Sequence, residues 1–274
     1  MTDAVKSDDD EIEASRAPLL DHLMELRNRL VVSLVALIVA FCVSFAFADQ
    51  LFEFMVEPFK VAMAQAHPER AGQDIQLVYT GAFGFFGVKM MLSLFAAIVI
   101  SFPIIAYQAY AFIAPGLYKR ERAAAAPFMI AAPLMFLAGA AFVFFIAMPF
   151  ALWFALNQEV TQNGVSVTYL PKVEEYLGLA TTLIIAFGLM FQMPVVLSLL
   201  GRIGVVSVSM LRKGRRYAIV GIAAFSALVT PPDPLSMTVM AIPLYGLYEV
   251  SIWIVWLIER ARANREKASA VAPT

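Results

Sequence analysis

Few side chains in this 274-residue sequence are suited to polar chemistry, and they fall into two groups. The first stands in charged segments: Glu25 precedes Arg29 by four residues, Arg27 lies between them, and Glu121 is flanked by Arg120 and Arg122. Exposed glutamate–arginine pairs of this kind are common and contribute about 0.3–0.5 kcal/mol each. The second group interrupts long apolar stretches: Gln108, Gln192, Glu249 and several serines and threonines. An ionisable group in such a setting is costly and faces a cavity or a partner. Glu249 is therefore either a functional group or a hydrogen-bonding contact to a neighbouring helix. His22 and His67 form no metal-ligand spacing, and HExxH, GxSxG, Walker A and GxGxxG patterns are all absent from the sequence. An ATP-driven pump or a hydrolase would have no visible machinery here; no enzymatic activity, metal, cofactor or nucleic-acid partner is expected.

The elements that must position these groups are membrane spans. Apolar residues make up 61% of the chain and charged residues only 15%. A bilayer core of about 30 Å asks for roughly 20 apolar residues per spanning helix. Residues 30–48, 90–118, 123–158 and 176–201 contain no charge, 217–232 is shorter, and 234–258 is interrupted only by Glu249. Thr230-Pro231-Pro232-Asp233-Pro234 reads as a tight turn between the last two. The expected fold is an all-α integral membrane protein with six transmembrane helices in a curved, proline-rich bundle, helices five and six being short. Sixteen of the 20 lysines and arginines lie in segments 1–29, 119–122, 202–216 and 259–274. Positive loops are retained inside, so both termini are expected in the cytoplasm.

Residues 1–17 are polar and acidic and read as a disordered tail, followed by one membrane domain over 18–259 and a cytoplasmic tail over 260–274. From Pro18, leucines recur at helical spacing opposite Asp21, Glu25 and Arg29, which suggests an amphipathic helix leading into span one. In the first outer loop, residues 51–59 suggest a surface helix broken by Pro58. Gly81, Gly84 and Gly87 would permit close packing at the mouth of span two. Prolines 103, 115, 127, 133, 149, 194 and 243 predict bends. Cys42 reads as a buried small apolar residue.

Three stretches are distinctive together: His22-Leu23-Met24-Glu25-Leu26-Arg27 before span one, Phe112 to Tyr118 followed by Lys119-Arg120-Glu121-Arg122 after span two, and Thr230-Pro231-Pro232-Asp233 between spans five and six. In this order and layout, from Pro18 to about Glu259, the chain closely resembles TatC, the multispanning subunit of the twin-arginine protein translocase. The resemblance implies a receptor in the bacterial cytoplasmic membrane. It would bind signal peptides bearing paired arginines and, in a hetero-oligomer of several copies with single-span TatA- and TatB-like subunits and membrane lipids, export folded proteins using the proton gradient. It further implies Glu25, Arg27 and Glu121 as signal contacts, and that makes chemical sense. A carboxylate accepts an arginine's planar fork bidentately, whereas lysine offers a point charge.

The resemblance also associates Thr230, beside Asp233, with docking of the single-span subunits; the alternative is that Thr230 caps its own helix. Many relatives carry glutamate where this chain has Gln192. An amide keeps hydrogen-bonding ability but cannot carry charge, which leaves a hydration site or a helix-contact site. A small-solute secondary transporter is the alternative function, and it would need a coupling-ion site near mid-membrane.

Overall fold

The computed structural model describes residues 3–70, 77–79, 84–113, 119–158, 160–162, 165–167, 171–230 and 233–271; for 3–21, 70, 113, 119–127, 160–162, 165–167 and 265–271 the description is of the backbone alone. Within a bilayer every backbone N–H and C=O must be satisfied inside the segment, and the apolar stretches accordingly form helices. Among the described residues five helical segments are long and apolar enough to cross a membrane: His22–Ala46, Gly84–Phe112, Phe128–Leu156, Val173–Arg202 and Pro234–Asn264.

The chain runs through α1 (Asp3–Ala46), α2 (Ala48–Ala66), α3 (Gly84–Ile113), α4 (Lys119–Phe142), a π-helical turn (Val143–Ala147), α5 (Met148–Leu156), a small antiparallel hairpin of β1 (Val160–Gln162) and β2 (Val165–Val167), α6 (Val173–Met190), α7 (Met193–Arg202), α8 (Val208–Val229) and α9 (Pro234–Val271). Helices α4 and α5 form one span and α6 and α7 another. The sixth member of the layout is α8. Arg212, Lys213, Arg215 and Arg216 occupy its first half, so its longest charge-free run is 217–229, about 20 Å at 1.5 Å per residue and well short of a bilayer core. Of the six members of the layout, as described, α8 alone has a short apolar run. α9 continues through Val271, its charged end from Glu259 onward extending the apolar part rather than stopping it.

α1 is helical from Asp3 to Ala46, and Pro18 within it removes one backbone hydrogen bond without ending the helix. Two further expectations meet a different outcome. α2 passes through Pro58 uninterrupted, with Pro58 itself buried beside Met55, Val56 and Phe59. Cys42 is exposed on α1.

The core is aromatic and aliphatic, with Phe59, Leu92, Phe136, Met148, Phe187 and Leu244 almost fully buried. α1 packs on α3, α4 on α6, and both α7 and α8 on α9. α2 is tied across the N-terminal ends of α3 and α6, where Tyr176 Oη donates to the Met55 carbonyl at 2.6 Å and Lys89 Nζ meets Asp49 Oδ1 at 2.6 Å. At the mouth of α3 the approach is close at Gly84, where an added Cβ would lie 2.5 Å from Glu174 Oε1 at the start of α6, whereas one at Gly87 would meet nothing within 4 Å and Gly81 lies outside the described residues. A tighter crossing, against backbone and a ring, is at Gly139 and Gly188, where added Cβ atoms would meet the Phe187 carbonyl oxygen at 2.8 Å and the Phe136 ring at 2.6 Å.

Candidate signal-binding site and intramembrane polar contacts

The i, i+4 spacing of Glu25 and Arg29 places both on one face of α1, with the acid N-terminal to the base, the favoured order. The two do pair: Arg29 Nε and Nη2 both donate to Glu25 Oε1, at 3.0 and 2.5 Å. The third contact leaves the helix, since Arg29 Nη1 donates to Gln108 Oε1 on α3 at 3.3 Å. Met24, Glu25, Asn28, Arg29, Val32 and Gln108 line an open hollow of about 460 Å³ between these two helices. Among the described residues no donor reaches Glu25 Oε2. One turn earlier His22 stacks on Phe112 with ring centroids 4.3 Å apart, a second tie between α1 and the end of α3. Arg27 lies on another face of α1, exposed, with Nη2 3.3 Å from Asn28 Oδ1. Glu121 falls in the first turn of α4, and its side chain lies outside the described residues, as do residues 114–118.

Gln192 sits where the fourth span breaks. Pro194 cannot continue the ladder, and the Gln192 backbone N–H turns back to the Leu189 carbonyl rather than to Gly188. The side-chain amide replaces the missing donor: Gln192 Nε2 lies 3.4 Å from the Gly188 carbonyl and donates to the Ala132 carbonyl of α4 at 2.9 Å. Of the two uses open to this amide, the geometry is that of a helix contact. A carboxylate ion has no donor to offer either carbonyl.

At the α8–α9 hairpin the polar groups turn inward. Thr230 is 7% exposed, and its hydroxyl donates to the Ser226 carbonyl one turn back, at 2.8 Å. It closes α8 as a C-cap, and Leu228, 85% exposed, is displayed at this end of the helix. The Asp233 carboxylate accepts the Ser236 N–H at 2.6 Å as the N-cap of α9, directly before Pro234. Pro231 and Pro232 lie outside the described residues.

Glu249 is a contact between helices. Its Oε2 accepts from Arg215 Nη2 of α8 at 2.7 Å and its Oε1 from Tyr245 Oη at 2.8 Å. Two more bonds stitch the same end of the hairpin, Tyr248 Oη to the Leu211 carbonyl at 2.7 Å and the Val208 N–H to Glu259 Oε1 at 2.9 Å. Arg215 was not singled out from sequence. Equal rise on either side of a turn centred on 231–232 sets position 215 opposite 248, so hairpin counting was the signal that could have found it.

A family model described as Sec-independent protein translocase protein (TatC) matches residues 21–243. TatC of Magnetococcus marinus is 38% identical over 253 residues, covering 92% of this chain and 89% of that protein. TatC of Escherichia coli K12 is 34% identical, with 91% and 92% covered, and that of Aquifex aeolicus 36% identical, with 92% and 100% covered. A crystal structure of "Twin Arginine Translocase Receptor- TatC" matches this fold with a TM-score of 0.72 at 34% identity, over 87% of this chain and 99% of that one. These are multi-pass membrane components of a protein translocase, not enzymes. On a match that runs through the spans, the Glu25 hollow and the hairpin alike, this chain belongs to the TatC family.

Proposed function

We propose that this chain is the receptor and core subunit of a twin-arginine protein translocase in the bacterial inner membrane, with both termini in the cytoplasm. The observation that carries the reading is Glu25: a carboxylate at the edge of an open hollow between α1 and α3, with one oxygen turned to no donor among the described residues. It stands on the side of the bundle that holds most of the lysines and arginines, the side retained in the cytoplasm. Glu25 and Glu121 receive the paired arginines of a signal peptide, with Arg27 close by. Each charge-assisted bond of this kind contributes about 1.5–3 kcal/mol.

Single-span TatA- and TatB-like subunits complete the assembly and, with the proton gradient, move folded cargo. The exposed face of α8 is their docking edge. A helix too short for the bilayer is shielded by neighbours or by thinning the lipid, and α8 displays Val220 and Leu228 at 68% and 85% exposure. Gln192, Thr230, Asp233 and Glu249 serve this assembly indirectly, by holding the helices in register. The test is site-specific crosslinking of a twin-arginine precursor to inverted vesicles containing the chain. Crosslinks to the region of Glu25 that weaken several-fold in Glu25→Ala and vanish in the Glu25→Ala, Glu121→Ala double variant support the assignment; normal binding and export by the double variant overturn it.

A further inference from the structure

The pairing of Glu25 with Arg29 raises a question that the receptor reading leaves open, because the acceptor of the incoming arginine already holds an arginine. Two donors of the Arg29 guanidinium converge on Oε1, and the third is held by the amide oxygen of Gln108. A guanidinium that engages a carboxylate side-on uses both oxygens. With only Oε2 open, an incoming arginine cannot do so until Arg29 gives up Oε1. Arg29 does not then have to enter lipid or lose every partner, since Gln108 already holds its Nη1 from the opposite helix.

We propose that Arg29 is a resident competitor for the Glu25 site and, with Gln108 as its alternative anchor, a specificity-determining residue for paired arginines. The inference rests on the reading of Glu25 as a signal contact. Exchange of one guanidinium for another conserves the charge-assisted bonds at the carboxylate. A single arriving arginine therefore gains less there than it would at a free carboxylate, and the second arginine and the rest of the peptide supply the remainder of the binding. A lysine fares worse, because a compact ammonium cannot replace two converging donors on a planar fork and leaves Arg29 in place. Specificity is a difference of affinities and is often built by penalising the wrong ligand; here the penalty is a side chain of the receptor itself.

The experiment titrates the full chain in lipid nanodiscs with two fluorescent synthetic signal peptides, identical except that one carries Arg-Arg and the other Lys-Lys. Arg29→Gln removes the competitor. Affinity for the Arg-Arg peptide is expected to rise about twofold, the worth of an exposed i, i+4 pair, and for the Lys-Lys peptide about tenfold, as a charge-assisted bond becomes available to it. Discrimination then shrinks. Arg29→Lys keeps the positive charge of this end of α1, and with it insertion and folding, and is expected to fall between the two. Gln108→Leu should change Arg-Arg affinity when Arg29 is present and leave it unchanged in the Arg29→Gln background. If Arg29→Gln and Arg29→Lys weaken binding of both peptides, Arg29 merely positions the carboxylate and the inference is overturned. Glu25→Gln separates the two levels of the argument. If it leaves Arg-Arg binding unchanged, the receptor assignment of Glu25 fails. If it weakens binding while Arg29→Gln leaves discrimination intact, only the competitor fails.

Discussion

Gly188→Ala tests whether the crossing of α4 and α6 is set by contact between backbones and rings. The added methyl would lie 2.6, 2.8 and 3.0 Å from three atoms of the Phe136 ring, well inside van der Waals contact. Phe136 has nowhere to go: it is 1% exposed and is stacked on Phe102 with centroids 4.0 Å apart. The alternative is for the helices to separate, which would stretch the bond from Gln192 to Ala132. Inserting a methyl into filled space costs about 1–3 kcal/mol, and alanine is favoured over glycine in a helix by about 0.8–1 kcal/mol. Gly87→Ala is the matched control, because its methyl would meet nothing within 4 Å and only the favourable contribution remains. The two variants should therefore differ by the overpacking cost alone, about 1–3 kcal/mol. Detergent-denaturant unfolding of the purified protein, followed by circular dichroism, measures that difference. Phe136→Leu, which shortens the ring to a branched aliphatic, should be less damaging in the Gly188→Ala background than in the parent chain. If Gly188→Ala is as stable as Gly87→Ala, the crossing is not close-packed and the reasoning fails.

Three other outcomes follow from the same geometry. The Arg215–Glu249 pair is partly exposed, with side chains 44% and 26% accessible, so a double-mutant cycle with alanine should give a coupling of about 0.5–1 kcal/mol; zero coupling would mean the hairpin is held by packing alone. A cysteine at Leu228, 85% exposed, should crosslink to a partner helix far more readily than one at Thr230, 7% exposed, and the reverse order would return Thr230 to the docking surface. A reporter active only outside the cytoplasm should work when fused after Gln162 and stay silent after Lys213 or Arg265; activity after Arg265 would require an odd number of crossings.

The sequence by itself determined the class and layout of this protein. Charge-free length against bilayer thickness marks the spans, and a lipid solvent leaves a single chain few ways to satisfy its backbone, so the step from composition to a helical bundle is short. The short α8 was legible for the same reason, since the charges from Arg212 to Arg216 consume half of the helix. The i, i+4 rule likewise paired Glu25 with Arg29, because that contact is local. Proline was a poorer guide: a helix gives up one hydrogen bond at Pro18 or Pro58 and continues. Only the tertiary structure decided what each polar group faces. Gln108 meets Arg29 across 79 residues and Gln192 meets Ala132 across 60. Which glycines touch a neighbour depends on the rotation of each helix about its axis. In a membrane that rotation is weakly encoded by apolarity, because the lipid-facing and protein-facing sides are both apolar. Packing shape and a few hydrogen bonds set it instead, and these emerge only when the helices are brought together.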